Sequence, residues 1–262
     1  MAATIITIAN NKGGCGKTAT ALALSADMAR RGYSVLIVDI DGQANTSLSL
    51  RIPAEAADAF SLLRGQGGEP AELAPNLYGI RSTDDMNDAE HLYGMGNGTA
   101  IRRMLQPFAG RFDYIIIDTA PDLHRPTLNA IMAADYILIP LQASFLALQG
   151  MAKMDSVLQR LCRREVCGIA VTMYDGRKTL HRQMLEAAQQ RYGAAVFPTQ
   201  VRSCIAVAEA GACGRTLYDY APNCTAAQDY AQITAEVIER ARQAVGDFGN
   251  ISNTDNISNT KL

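Results

Sequence analysis

Residues 4–18 read TIITIANNKGGCGKT, a β-branched apolar run that passes directly into a glycine-rich loop ending in Lys17 and Thr18. No other stretch constrains the fold as strongly. A strand, then glycines, then a helix pattern over 18–30 brings backbone N–H groups and a helix N-terminus to one point, a cradle for anionic oxygens. Glycine is required there because side chains block the approach of the backbone and some positions want positive φ. Lys17 is expected to reach the β- and γ-phosphates of a nucleotide, and the Thr18 hydroxyl to hold Mg²⁺. The ordinary spacing GxxxxGK[ST] would place glycine at position 11, where Asn11 stands, and Lys12 adds a second lysine. On its own, that lysine reads either as a surface or turn residue or as a further phosphate ligand.

Similar apolar runs recur at 34–39 (SVLIVD), 114–118 (YIIID), 136–140 (YILIP), 168–173 (GIAVTM) and 194–197 (AAVF). Continuous rather than alternating hydrophobicity predicts strands buried on both faces of a mostly parallel sheet. Helical patterns lie between them at 18–30, 150–164, 180–192 and 226–245. The first stops before Gly32, a natural residue after a helix end. In the second, Met151, Met154, Val157, Leu158 and Leu161 form one stripe, read as core-facing. The alternation predicts an α/β fold: a doubly wound, mostly parallel sheet flanked by helices, joined by right-handed crossovers. Residues 55–100 carry glycine loops at 65–68 and 94–98 and little periodicity. The chain reads as a single domain over 1–246, with a tail at 247–262 that repeats Ile-Ser-Asn-Thr, has little to bury and is expected to be disordered.

At 262 residues, 48% hydrophobic and 19% charged, the composition is globular, and the net charge of −2 excludes a global basic excess. Between positions 160 and 215, however, nine Lys/Arg face four Asp/Glu, so a basic face can hide in a neutral total. Six cysteines without CxxC or zinc spacing read as thiols in a reducing compartment. The N-terminus has neither a basic leader nor a long apolar run, and no stretch approaches the ~20 apolar residues of a membrane span. A cytoplasmic protein is expected.

Acidic residues close two of the apolar runs, where a doubly wound sheet places its ligands. Asp39 and Asp41 stand in VDIDGQ; the pair alone reads as a solvated turn, but after a phosphate loop it reads as metal chemistry. Asp118 ends IIIDTAP.

Together KGGCGKT, DIDGQ and IIIDTAP resemble the deviant Walker A motif, the DxDPQ segment and the Walker B strand of the ParA/MinD superfamily of P-loop ATPases. The likeness to ParA and Soj proteins runs over about 4–243, weakest between 50 and 100. It implies ATP and Mg²⁺ as cofactors, with Gly13, Gly14, Cys15, Gly16, Lys17, Thr18 and Ala19 around the phosphates. Lys12 becomes the signature lysine, which crosses a nucleotide-sandwich homodimer to the partner's phosphates. Asp41 takes the position that orients the attacking water, and Asp39 a structural place or one in the outer magnesium sphere. Asp118 meets the metal shell, and 119–125 senses the γ-phosphate. Met173, in the strand end TMYD, and Pro198 are implied to lie at the nucleotide. Gly42 departs from the family's proline, which puts the stiffness of that turn in question. His124 reads as an exposed loop residue.

The same resemblance implies non-specific DNA binding by the ATP dimer, with Arg177, Lys178, Arg182, Arg202 and Arg215 as candidates, and stimulation by a ParB-like centromere-binding partner. Arginines on exposed helices are also simply solubilising. A helix-turn-helix extension is absent, so operator binding is not expected. Two alternatives share the motifs: a ParA-like ATPase that positions another cargo, and a MinD-like ATPase that positions itself on membrane. The second needs a basic amphipathic C-terminal helix, which NISNTDNISNTKL does not supply. A cluster-bearing reductase like the nitrogenase iron protein lacks its cysteines here, since none lies between Gly16 and Leu161.

Overall fold

The computed structural model describes residues 2–93, 99–161, 163 and 167–254, with Gln149 and 247–254 as backbone alone. Seven strands among them form one sheet in the order β3-β4-β2-β5-β1-β6-β7. β1 (Thr4–Ile8), β2 (Val35–Asp39), β5 (Tyr114–Asp118), β6 (Tyr136–Gln142) and β7 (Cys167–Thr172) are the expected runs. β4 (Leu77–Ile80) extends the parallel sheet beside β2, and β3 (Ala71–Ala74) closes that edge antiparallel to β4.

The β-branched runs stay extended and bury both faces. Ile6 and Ile8, Val35 and Ile37, and Ile116 pack into one core. Their neighbours Leu36, Val38, Ile115 and Ile117 pack into another on the opposite side. Each such side chain contributes about 1.5–3 kcal/mol on burial, so the continuous hydrophobicity is the fold's main stabilising feature. α1 (Lys17–Arg30) and α10 (Thr225–Thr254) cover the first face. α3 (Ala59–Leu63), following the short α2 (Asn45–Ser49), and α4 (Thr99–Leu105) cover the second. α5 (Arg125–Ala133), α6 (Phe145–Arg160) and α7 (Thr179–Tyr192) enclose a third cluster around β6 and β7. The short α8 (Ala206–Ala212) and α9 (Leu217–Tyr220) return the chain to α1. Met151, Met154 and Leu158 of the expected stripe are buried, as read.

Residues 194–197 do not form a strand. Gly193–Ala195 is a 3₁₀ turn, and Val196 makes a single bridge to Ile169. Pro198 just beyond has no N–H to continue a ladder. The region expected to be least regular holds α3, β3, β4, the 3₁₀ segment Asp84–Tyr93 and α4. The loop at 94–98 lies outside the described residues. So do 255–262 of the expected tail, while the backbone of α10 runs through 247–254.

The winding of the sheet reverses at β1: later strands are added on one side as far as β5 and on the other from β6, and both neighbours run parallel to β1. The carboxyl ends of β1, β2, β5, β6 and β7 therefore converge on one crevice, where such sheets bind ligands.

Candidate nucleotide-binding site

The loop after β1 is tied down at both ends. Asn10 Nδ2 donates to Pro140 O at 2.7 Å while its Oδ1 accepts from Lys12 N at 3.1 Å. Thr172 Oγ1 donates to Cys15 O at 2.8 Å. Gly14 and Gly16 hold φ of 70° and 92°, left-handed values that strain any other residue. No side chain caps α1, so its first N–H groups face a cavity of about 300 Å³ lined by Gly13, Gly14, Lys17, Thr18, Asp41 and Pro121 among others. Open N–H groups, a helix N-terminus and an ammonium make that cavity an anion site. Cys15 is fully buried and donates to Lys12 O at 3.2 Å; burial pushes its thiol up, opposed by Lys17, so it fills the loop as a neutral group.

The two lysines part company. Lys17, 7% exposed, lines the phosphate cavity and donates to Lys12 O at 3.2 Å. Lys12 is not among the lining residues. Its Nζ donates to Gln142 Oε1 at 3.1 Å and to Ser144 Oγ at 3.0 Å, at the end of β6 and the start of α6. Two neutral acceptors hold that ammonium aside from its own chain's phosphate cavity.

Register places Asp39 directly beside Asp118 on adjacent strands, both fully buried. Asp118 Oδ2 accepts from Thr18 Oγ1 and Thr46 Oγ1, each at 2.8 Å, whereas its Oδ1 is buried without a partner. Asp39 Oδ2 accepts from Ser47 N at 2.9 Å and Ser47 Oγ at 2.7 Å, and its Oδ1 from Asp41 N at 3.1 Å. Desolvation first, then the neighbouring carboxylate, raises the Asp118 carboxyl well above its ordinary range. Desolvation raises Asp39 likewise, against its Ser47 hydrogen bonds. Such a pair wants a cation. The donor set, one hydroxyl and nearby carboxylates with an orphaned oxygen, fits Mg²⁺, which takes few protein ligands and completes its shell with phosphates and water. Among the described residues no group of three or more His, Cys, Asp or Glu is placed to hold a metal ion by itself.

Asp41 reaches the cavity from the turn after β2, where its Oδ1 accepts from Gln43 N at 3.0 Å. A second cavity of about 400 Å³ shares Gly16, Thr18, Ala19 and Met173 with the first and is otherwise mainly apolar, with Leu22, Val201, Val207, Ala208 and Tyr230 in its walls. A polar cradle opening into an apolar slot suits a phosphate chain attached to a flat heterocycle. Ala19 and Met173 line both cavities. Pro198 does not: it is exposed and lines neither cavity, and 201–204 form the wall instead.

Arg177 and Lys178, between β7 and α7, and Arg182, in the first turn of α7, are all exposed. Arg177 binds Asp175 and Arg182 donates to Gly176 O, so their positions are fixed locally. Arg215 is exposed at the start of α9 and donates to Asp219 O. Arg202 stands apart, forked onto the nearly buried Asp229 at 2.7 Å in the wall of the apolar slot. His124 is 72% exposed, as read from sequence. Sequence reasoning did not find Thr46 and Ser47, though they follow Asp41 in the run DGQANTS, nor Gln142 and Ser144, which only tertiary structure brings to Lys12. No helix of the described residues is long and apolar enough to cross a membrane.

A family model described as an AAA domain matches residues 3–167. The chain is 35% identical to the chromosome-partitioning ATPase Soj of Thermus thermophilus, over 91% of this chain and 97% of that protein. It is 32% identical to the chromosome partitioning protein ParA of Caulobacter vibrioides, over 91% and 95%. Among solved structures, apo McdA from Cyanothece superposes with a TM-score of 0.79 at 23% identity, covering 90% of this chain and 99% of that one. Cobyrinic acid a,c-diamide synthase from Mycobacterium smegmatis, with ADP and magnesium, superposes with a TM-score of 0.77 at 23% identity, covering 92% and 96%.

Proposed function

Because this chain belongs to the AAA domain family and, within it, to the ParA/Soj-type partition ATPases of the deviant Walker A superfamily, we propose that it acts as an ATP-gated dimer that binds DNA and releases it on hydrolysis. The observation that carries the reading is the divergence of the two lysines. Lys17 serves the cavity of its own chain, while Lys12 sits outside it, held by groups that give up an ammonium readily. A lysine is a mobile point charge, suited to crossing an interface and meeting charge that develops on a neighbour's γ-phosphate. Two copies face each other across two ATP molecules, each lending Lys12 to the other.

In each site Thr18, with Asp118 and Asp41 behind it and Asp39 supporting them, would hold magnesium, which offsets phosphate charge when bound. Asp41 orients the attacking water. Met173 and Ala19 bound the base slot. Arg177, Lys178, Arg182 and Arg215 give the dimer its affinity for DNA phosphates; Arg202, tied to Asp229, contributes least. A ParB-like partner accelerates hydrolysis, and the protein works in the cytoplasm on the nucleoid, without membrane attachment, in plasmid or chromosome segregation.

The test is light scattering and DNA retention with magnesium and a non-hydrolysable ATP analogue, against ADP. The analogue is expected to double the mass and retain the protein on random-sequence DNA. A monomer in both nucleotides refutes the sandwich, and a dimer that ignores DNA but binds anionic vesicles moves the cargo to the membrane.

A further inference from the structure

Gly42 follows Asp41 in the turn after β2 and is buried. Its backbone does not demand glycine, since it is absent from the residues with positive φ. What it provides is room. A Cβ on residue 42 would lie 2.2 Å from Asn87 Oδ1, 2.6 Å from its Cγ and 2.9 Å from its Nδ2. The whole carboxamide of Asn87 therefore rests on the glycine's bare Cα. Asn87 belongs to the 3₁₀ segment Asp84–Tyr93, and that segment is firmly seated: Met86, Ala89 and Tyr93 are buried in the core beneath it. Its far end accepts a hydrogen bond at Tyr93 O from Asn129 Nδ2 of α5, at 3.3 Å. α5 is also the helix that follows the 119–125 loop.

A proline at 42 would stiffen the turn through its locked φ. Glycine by itself loosens it, because glycine has the largest conformational freedom to lose. The turn is nonetheless held from two sides: Asp39 Oδ1 accepts Asp41 N from below, and the Asn87 carboxamide covers Gly42 from above.

We propose that Asn87 is a positioning residue for ATP hydrolysis: seated on Gly42, it replaces the missing ring as the restraint that keeps Asp41 aimed at the reaction centre. The inference rests on the reading of Asp41 as the residue that orients water. Through Tyr93 and Asn129 the same segment links the Asp41 turn to α5, so the two loops flanking the phosphate cavity share one support.

Three variants test it in single-turnover hydrolysis of ATP with magnesium, alongside nucleotide affinity and melting temperature. Asn87→Ala removes the carboxamide. Gly42→Ala pushes it off the turn, and the melting temperature reads what that displacement costs the fold. Each is expected to slow hydrolysis about three- to tenfold, a loss fitting a small misplacement of one group, while ATP affinity stays within about twofold. The double variant slows no further than either single one, because both remove the same restraint. Asn87→Asp, of the same shape, keeps most of the rate. Wild-type rates in both single variants, losses that multiply, or losses in affinity rather than turnover would overturn the proposal. Asp41→Ala separates the two levels. If it is inactive while Asn87→Ala is normal, only the positioning role fails; if it hydrolyses normally, the reading of Asp41 fails and the proposal goes with it.

Discussion

Ser47 is the hidden joint of the carboxylate cluster, and its hydroxyl is the cleanest place to perturb. Its Oγ donates to Asp39 at 2.7 Å and accepts from Ser82 N at 2.9 Å, inside the protein. Ser47→Ala takes away a hydrogen bond to a buried carboxylate, about 1.5–3 kcal/mol, and strands a buried backbone N–H, about 1–3 kcal/mol. The Ser47 N–H to Asp39 at 2.9 Å survives, so the site is weakened rather than dismantled. A net cost of about 3 kcal/mol is expected, and at about 2–4 °C per kcal/mol for a chain of this size the melting temperature falls by about 6–12 °C. Differential scanning calorimetry without nucleotide reads the shift directly. A fall of under about 1 °C would show that water serves Asp39 and Ser82 as well as the hydroxyl does, and that the cluster is not closed as described.

Lys17→Ala removes the ammonium from the phosphate cavity and is expected to abolish ATP binding by equilibrium dialysis, whereas Lys12→Ala keeps binding and loses turnover. Asp39 and Asp118 have carboxyls raised to about 6 and about 7, so the metal-free fold holds protons that the unfolded chain releases in the ordinary carboxylate range. Their stabilisation is full at low pH and is lost as pH climbs to about 7. Without metal or nucleotide, the protein should therefore gain less stability from Asp118→Asn at pH 6 than at pH 8, where the substitution raises the melting temperature; equal effects at both pH values contradict the burial argument. Reversing the charge of Arg177, Lys178 and Arg182 together is expected to weaken DNA retention on every sequence and to flatten its salt dependence by about one unit for each DNA phosphate no longer neutralised. An unchanged salt slope would place the DNA surface elsewhere.

Much of the fold was legible because β1, β2, β5, β6 and β7 are buried on both faces, and burial on both faces writes itself as unbroken apolar runs. The edge strand β3 and its neighbour β4 were not, because AELA and LYGI are four residues each and β3 is only partly buried. The run 194–197 misled for the opposite reason: it is apolar because it packs on Ile169, yet Gly193 and Pro198 keep it from pairing further. In the site, the residues singled out by local spacing, from Gly13 to Thr18 and at Asp39, Asp41 and Asp118, are brought together at the carboxyl ends of β1, β2 and β5. Partners distant in sequence were not legible: Gln142 for Lys12, Thr46 for Asp118 and Asn87 for Gly42 meet only because the sheet aligns the carboxyl ends of its strands. Pro198 was assigned by resemblance alone, and the slot is walled instead by residues three to six positions on.

The central claim is that each site is completed by the other chain's Lys12, and mixing two inactive variants tests it. Lys12→Ala and Asp41→Ala are each expected to be inactive as pure dimers. In a mixed dimer, the Lys12→Ala chain keeps its own Asp41 and receives Lys12 from its partner, so one of the two sites is whole. Equal mixing should restore about a quarter of the wild-type rate, since half the dimers are mixed and each has one whole site. A mixture as inactive as its components, under conditions where the chains exchange, would mean that Lys12 acts within its own chain.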